Sequence, residues 1–255
     1  MMEREWHTEC ELLLSGNSEA TPAEHKPFNL AYPQSHCPHC DARIQPWQNI
    51  PILSYVLLKG RCGNCRASIS IRYPIIELVA GLLALLAAMQ VGASWALLPV
   101  LIFVWALLTL TMIDVDHQLL PDQITLPLLW LGLALNASGL FVPLTDAVWG
   151  AIAGYLSLWS VFHIFRLITG KEGMGFGDFK LLAALGAWMG WQMLPIIILL
   201  SSLVGAVIGS LLLIAQRKGR STPIPFGPYL AGAGLIAFFW GKTLIENYLQ
   251  FAGIH

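Results

Sequence analysis

The chain has 255 residues, 56% of them hydrophobic and only 11% charged, with a mean hydropathy of +0.65. A soluble domain carries about 25% charged residues, so an ordinary soluble globule is excluded and a multi-span membrane protein is expected. The net charge of −1 supplies no basic field for a nucleic acid, and no nucleic-acid partner is expected.

In chain order, residues 1–73 read as a polar head and residues 74–255 as a membrane body. No apolar stretch follows Met1-Met2-Glu3-Arg4-Glu5-Trp6, so no signal peptide is read. Residues 1–27 read as a flexible arm, with Cys10 as an ordinary free thiol. No internal repeat and no low-complexity tract stands out.

The head contains Cys37-Pro-His-Cys40 and Cys62-Gly-Asn-Cys65, separated by 21 residues. Zinc takes four soft ligands in a tetrahedron, and two such pairs supply them. Two disulfides compete as a reading, but a cytoplasmic head lies in a reducing compartment. A redox pair needs only one Cys-x-x-Cys. The reading is therefore structural zinc on Cys37, Cys40, Cys62 and Cys65, with His36 and His39 as substitute ligands. Four protein ligands leave no open position, so the metal organises the head and does not catalyse.

A span needs about 20 mainly apolar residues. Spans are read near 74–92, 95–113, 123–141, 146–168, 178–190, 192–215 and 227–245. The fifth is too short for an ordinary crossing, and is read as tilted, broken or packed inside the bundle. Arg4, Lys26, Arg43, Lys59, Arg61, Arg66 and Arg72 place the head in the cytoplasm by the positive-inside rule. Parity puts the loops near 114–122, 167–179 and 216–226 on that side too. Arg166, Lys171, Lys180, Arg217, Lys218 and Arg220 lie there, and only Lys242 departs from the pattern.

This orientation bears on two aspartates. Asp114 ends the second span and Asp178 begins the fifth, so both fall at the cytoplasmic edge. Ionisable groups at membrane depth are costly and usually functional. Two close carboxylates can share one proton, one serving as acid and the other as base. Singly, Asp114 reads as a helix-end residue among Asp116 and Asp122, and Asp178 reads as an N-cap. The Gly173-Met-Gly175-Phe-Gly177-Asp178 run is more specific, because glycines let the backbone approach a substrate and flex as a gate. Lys180 is either a charge partner of Asp178 or a snorkelling lysine. His117 reads as interfacial, and Arg72 with Glu77 as a structural pair. No Gly-x-Ser-x-Gly, His-Glu-x-x-His or Walker loop competes.

Several runs together resemble the bacterial prepilin peptidases, the GxGD aspartic protease family of bifunctional leader peptidases and N-methyltransferases. They are Cys37-Pro-His-Cys40, Asn49-Ile-Pro-Ile-Leu-Ser-Tyr55, Gly60-Arg-Cys-Gly-Asn-Cys65, Ile71-Arg-Tyr-Pro74, Ile113-Asp-Val-Asp116 with Leu120-Pro-Asp122, and Gly175-Phe-Gly-Asp-Phe-Lys-Leu181. The likeness runs from about Phe28 onward. It implies an all-α polytopic membrane protein with a small zinc-ribbon-like cytoplasmic head. The family pattern has eight spans against seven read here; its members usually begin with a further hydrophobic segment, whereas this chain begins inside the head.

The resemblance also implies roles. The aspartate opening Asp-x6-Pro and the one in Gly-x-Gly-Asp are the family's catalytic pair, which carries over to Asp114 and Asp178. Asp116 and Asp122 do not carry over; with Gly175, Gly177 and Lys180 they are read from the residues themselves as gate or support residues. The implied substrates are type IV prepilins or pseudopilins, cut at a basic leader. The implied methyl donor is S-adenosylmethionine, and the implied location is the bacterial inner membrane. Readings from other classes are a proton-coupled transporter with the aspartates as a relay, or a non-enzymatic secretion-assembly factor.

Overall fold

The computed structural model describes residues 35–171, 173–216 and 225–251. The arm with Cys10, and the basic loop residues Arg217, Lys218 and Arg220, lie outside the described residues. The chain divides into two compact units, Met1–Val79 and Ala80–His255.

The described part of the first unit holds no regular strand, only two isolated bridges, His36 with Arg43 and Arg61 with Ser68. A 3-10 turn at Pro46–Asn49 leads to the short helix α1, Leu53–Leu57. Helix α2, Arg72–Val91, starts in this unit and carries the chain into the second. The Glu77 carboxylate in the second turn of α2 accepts the Ile52 N–H at 2.9 Å, which fixes the start of α1.

The second unit continues with α3 (Leu97–His117), α4 (Asp122–Ala137), α5 (Leu144–Thr169), α6 (Phe176–Met189), α7 (Leu194–Gln216) and α8 (Gly227–Phe251). Each of the seven spans read from hydropathy falls on one of the helices α2 to α8. Five of these are long and apolar enough to cross a membrane: α2, α3, α5, α7 with the turn before it, and α8. The protein is thus a multi-pass membrane protein.

Helices α4 and α6 are shorter, with 16 and 14 residues. At 1.5 Å per residue, α6 is about 21 Å long, against a hydrocarbon core of about 30 Å. It is accommodated by enclosure. Asp178, Phe179 and every residue from Leu181 to Met189 are buried, and α6 packs on α4, α5 and α8.

Close approach makes this enclosure possible. Inside a bilayer the tails are as apolar as leucine, so helices associate through tight van der Waals packing and polar bonds. Gly150 and Gly154 form a Gly-x-x-x-Gly edge on α5. A Cβ at Gly150 would overlap the Gly186 carbonyl, and one at Gly154 would stand 2.7 Å from the Leu182 carbonyl oxygen. The backbones of α5 and α6 therefore touch directly.

Polar bonds close the far end of α6. Trp188 is fully buried, stacks on Phe103 at 4.6 Å between centroids, and donates its indole N–H to the Leu128 carbonyl at 2.8 Å. Buried Asn136 donates to the Ala187 and Trp188 carbonyls and accepts the Phe141 and Val142 N–H groups. One amide thus occupies the orphan carbonyls that end α6 and ties them to the turn after α4. Asn136→Ala leaves these buried groups unpaired and is expected to cost about 1–3 kcal/mol. Thermal unfolding of the detergent-solubilised protein checks this; a variant as stable as the parent would show that the amide does not hold α6.

Candidate active site and metal centre

The two aspartates meet at the opposite end of α6. Asp114 lies in the last turn of α3, and Asp178 in the first turn of α6, where Gly175 rather than Asp178 is the N-cap. Both are buried, at 5% and 6% exposure, and Asp114 lies near enough to act electrostatically on Asp178. Asp116, two residues along α3, is exposed. A helix advances 100° per residue, so neighbours two apart point to different faces.

Each carboxylate is met by backbone. The Gly227 N–H, at the start of α8, donates to Asp114 Oδ2 at 3.0 Å. This is a helix N-terminus used as an anion site, where free amides and the helix dipole favour negative charge. A Cβ at Gly227 would stand 2.7 Å from the same oxygen, so a larger residue would push against the carboxylate. The Gly175 amide similarly faces Asp178. Leu120 fills the space between: a Cβ at Gly177 would stand 2.6 Å from Leu120 Cβ, and one at Gly227 would stand 3.2 Å from Leu120 Cδ1. Gly175 and Gly177 on one segment and Gly227 on another therefore bring two backbone segments against one leucine and two acids.

Lys180 partners neither buried aspartate by an ion pair. Its ammonium is bonded to both oxygens of Asp122, at 2.7 and 2.6 Å, in a partly exposed pair. Since Asp122 opens α4, the pair fastens the loop containing Leu120 and Pro121 to α6. His117 is exposed at the end of α3, and Glu77 serves Ile52.

Sequence reading gave Phe226-Gly227-Pro228 no role. Its only signal is a glycine beside a proline at a helix start, where Pro is common in any helix. That Gly227 meets Asp114, 113 residues away, appears only when α3 and α8 pack together.

The first unit holds the four cysteines as a cluster. The sulfurs of Cys37, Cys40, Cys62 and Cys65 all lie within 4.8 Å of one another. Cys37 and Cys65 are 3.8 Å apart, and all four are free thiols. A tetrahedral ion with bonds of about 2.3 Å needs sulfurs about 3.8 Å apart. His36 and His39 are not members of the cluster.

The two halves are copies. In one, Cys37 N–H bonds to Ala42 O and Asp41 N–H to Cys37 O; in the other, Cys62 N–H bonds to Ala67 O and Arg66 N–H to Cys62 O. Asp41 and Arg66 both have positive φ, 52° and 59°. The shared pattern is Cys-x-x-Cys-x-Ala-x-Ile, at 37–44 and 62–69. This short repeat corrects the reading that the chain has none; its eight residues share only the two cysteines, Ala and Ile.

The sulfurs sit among donors. The Cys65 and Asn64 N–H groups pull the Cys62 thiol down to about 6. The Ala42 N–H and then the Asn64 side chain lower Cys40. Cys65 receives the Ala67 N–H, yet desolvation and the thiols of Cys40, Cys62 and Cys37 push it up to about 11. Four sulfurs cannot all ionise side by side without a cation between them, and a soft divalent ion supplies it. The cluster thus fits zinc, held by Cys37, Cys40, Cys62 and Cys65.

Comparison with known proteins now decides the family. The profile of the Type IV leader peptidase family matches residues 101–210, and that of the Bacterial Peptidase A24 N-terminal domain matches residues 18–91. A prepilin leader peptidase/N-methyltransferase of Stutzerimonas stutzeri is 56% identical over 99% of this chain and 86% of its own length. This chain belongs to the type IV leader peptidase family. Relatives of the same name from Pseudomonas aeruginosa and Legionella pneumophila are 54% and 46% identical, over 99% and 98% of this chain and 86% of each relative. No solved structure matches the chain. As a member of a protease family the chain is an enzyme, which sets aside the transporter and assembly-factor readings.

For the metal centre, the purified chain is expected to carry about one zinc ion, since four thiolates complete one tetrahedral site. Cys62→Ser is expected to lose it. Metal analysis of both proteins decides: an undiminished zinc content in Cys62→Ser would rule out this ligand set.

Proposed function

We propose that the chain is a membrane-embedded aspartic endopeptidase that removes the basic leader of type IV prepilins or pseudopilins. The observation that carries this reading is the buried Asp114–Asp178 pair at one end of the enclosed helix α6. The relatives' name, prepilin leader peptidase/N-methyltransferase, supports the substrate class.

In this proposal one carboxylate takes a proton from a water that attacks the scissile carbonyl, and the other protonates the departing amide nitrogen. Gly227 N–H orients Asp114. Gly175 and Gly177 add no side chain of their own beside Asp178 and leave room for Leu120. The Lys180–Asp122 pair anchors the loop beside the site, and exposed Asp116 adds to an acidic rim that attracts a basic leader. The protein resides in the bacterial inner membrane with its head in the cytoplasm, as the distribution of Lys and Arg supports. Residues 1–73 form that head and residues 74–255 the peptidase domain. The acids then sit at the cytoplasmic edge, where a leader preceding an apolar stem is presented.

The relatives' name supports a second step, methylation of the new N-terminal amine. S-adenosylmethionine supplies the methyl group when bound.

Asp114→Asn and Asp178→Asn are each expected to lower prepilin cleavage in membranes by about 10²–10⁴-fold. Wild-type cleavage by either variant would sink the dyad. Gly227→Ala keeps the N–H but drives a methyl group against Asp114, and is expected to lower kcat by about 10²-fold. Gly232→Ala, on the same helix with open space around it, is expected to leave kcat unchanged. Equal rates for the two alanine variants would show that Gly227 does not position Asp114.

A further inference from the structure

The head has more apolar surface than a small soluble domain needs. Trp47, Ile50, Leu53, Val56 and Leu57 are all exposed, Val56 at 64% and Leu57 at 63%. They lie within a single short stretch of chain, on and between the 3-10 turn and α1. Exposed apolar residues grouped in this way mark an interaction surface.

Two further observations choose the partner. The first is position. The Ile52 N–H is bonded to Glu77 at 2.9 Å, in the second turn of α2, a helix long and apolar enough to span the membrane. Helix α1 is therefore fastened beside the first turns of a membrane helix, within the same compact unit. The second is charge. Residues 35–79 contain Arg43, Lys59, Arg61, Arg66 and Arg72 against Asp41 and Glu77. Arg43, Lys59, Arg61 and Arg66 are exposed. Apolar side chains combined with Lys and Arg at the membrane boundary are the composition of a segment lying in an anionic lipid surface. Trp47 adds an amphipathic ring of the kind found at headgroup level.

We propose that the head lies on the bilayer into which α2 runs, with Trp47, Ile50, Leu53, Val56 and Leu57 in the headgroup–acyl boundary and the basic residues drawn to anionic lipid headgroups. The four-cysteine module is thereby held at the membrane surface by two attachments, the covalent one through α2 and the interfacial one through α1. This docking is independent of which peptide the enzyme cuts.

The test uses the full chain in vesicles with the photoreactive residue p-benzoylphenylalanine at position 56 or 57. Both positions are exposed, so the probe does not disturb packing. In vesicles containing phosphatidylglycerol, illumination is expected to give lipid adducts at both positions, with a yield several-fold lower in vesicles of phosphatidylcholine alone. The same probe at Met89, exposed on α2, serves as the lipid-facing reference and is expected to label lipid in both. The proposal is overturned if positions 56 and 57 crosslink to the chain's own membrane helices or to a second copy. It is equally overturned if they form no lipid adduct while position 89 does, or if their yield is the same in both kinds of vesicle.

Discussion

A 14-residue helix with an acid in its first turn cannot face lipid. Helix α6 is too short to cross the hydrocarbon by itself, and its first-turn carboxylate and last-turn carbonyls would both be stranded there. The structure meets this constraint by enclosing α6 in protein. Gly150 and Gly154 let α5 come to backbone contact, α4 and α8 cover other sides, and Asn136 and Trp188 close the far end. The other features of the membrane body follow from keeping this helix surrounded.

Enclosure places Asp178 in a buried, protein-lined position and brings other helix ends to it. Asp114 arrives from the end of α3 and is met by the first amide of α8. Leu120, in the loop between α3 and α4, wedges against glycines of two different helices. The cation nearest in sequence, Lys180, is directed outward to Asp122. The site therefore contains two buried acids without a paired cation among the contacts described, which is the condition for sharing a proton and not simply forming ion pairs. A lysine bonded to Asp178 would instead hold it as an anion.

Much of this was legible in the chain itself. Hydropathy located all seven membrane-body helices, because a bilayer demands long apolar runs and tolerates few exceptions. It also flagged the fifth segment as too short, and that is the helix found enclosed. The family resemblance, through its Asp-x6-Pro motif, set Asp114 apart from Asp116 and Asp122, and only Asp114 of the three is buried. Two Cys-x-x-Cys pairs were enough to anticipate a four-sulfur cluster, since ligand spacing is a local property. The repeat of the knuckles was less legible: its likeness lies in hydrogen bonds and two positive φ angles, which Asp41 and Arg66 adopt without resembling each other as residues.

By itself the sequence determined a polytopic membrane protein, a four-cysteine head and two acids at helix ends, because periodicity, hydropathy and ligand spacing act within short stretches of chain. The tertiary structure alone decided that the acids meet, that Lys180 turns to Asp122, and that Gly227 caps Asp114. Each of these joins residues 58 to 113 positions apart. Such contacts depend on which helix faces touch, and in a bilayer that is set by close packing at small residues, a quantity that no short run of residues encodes.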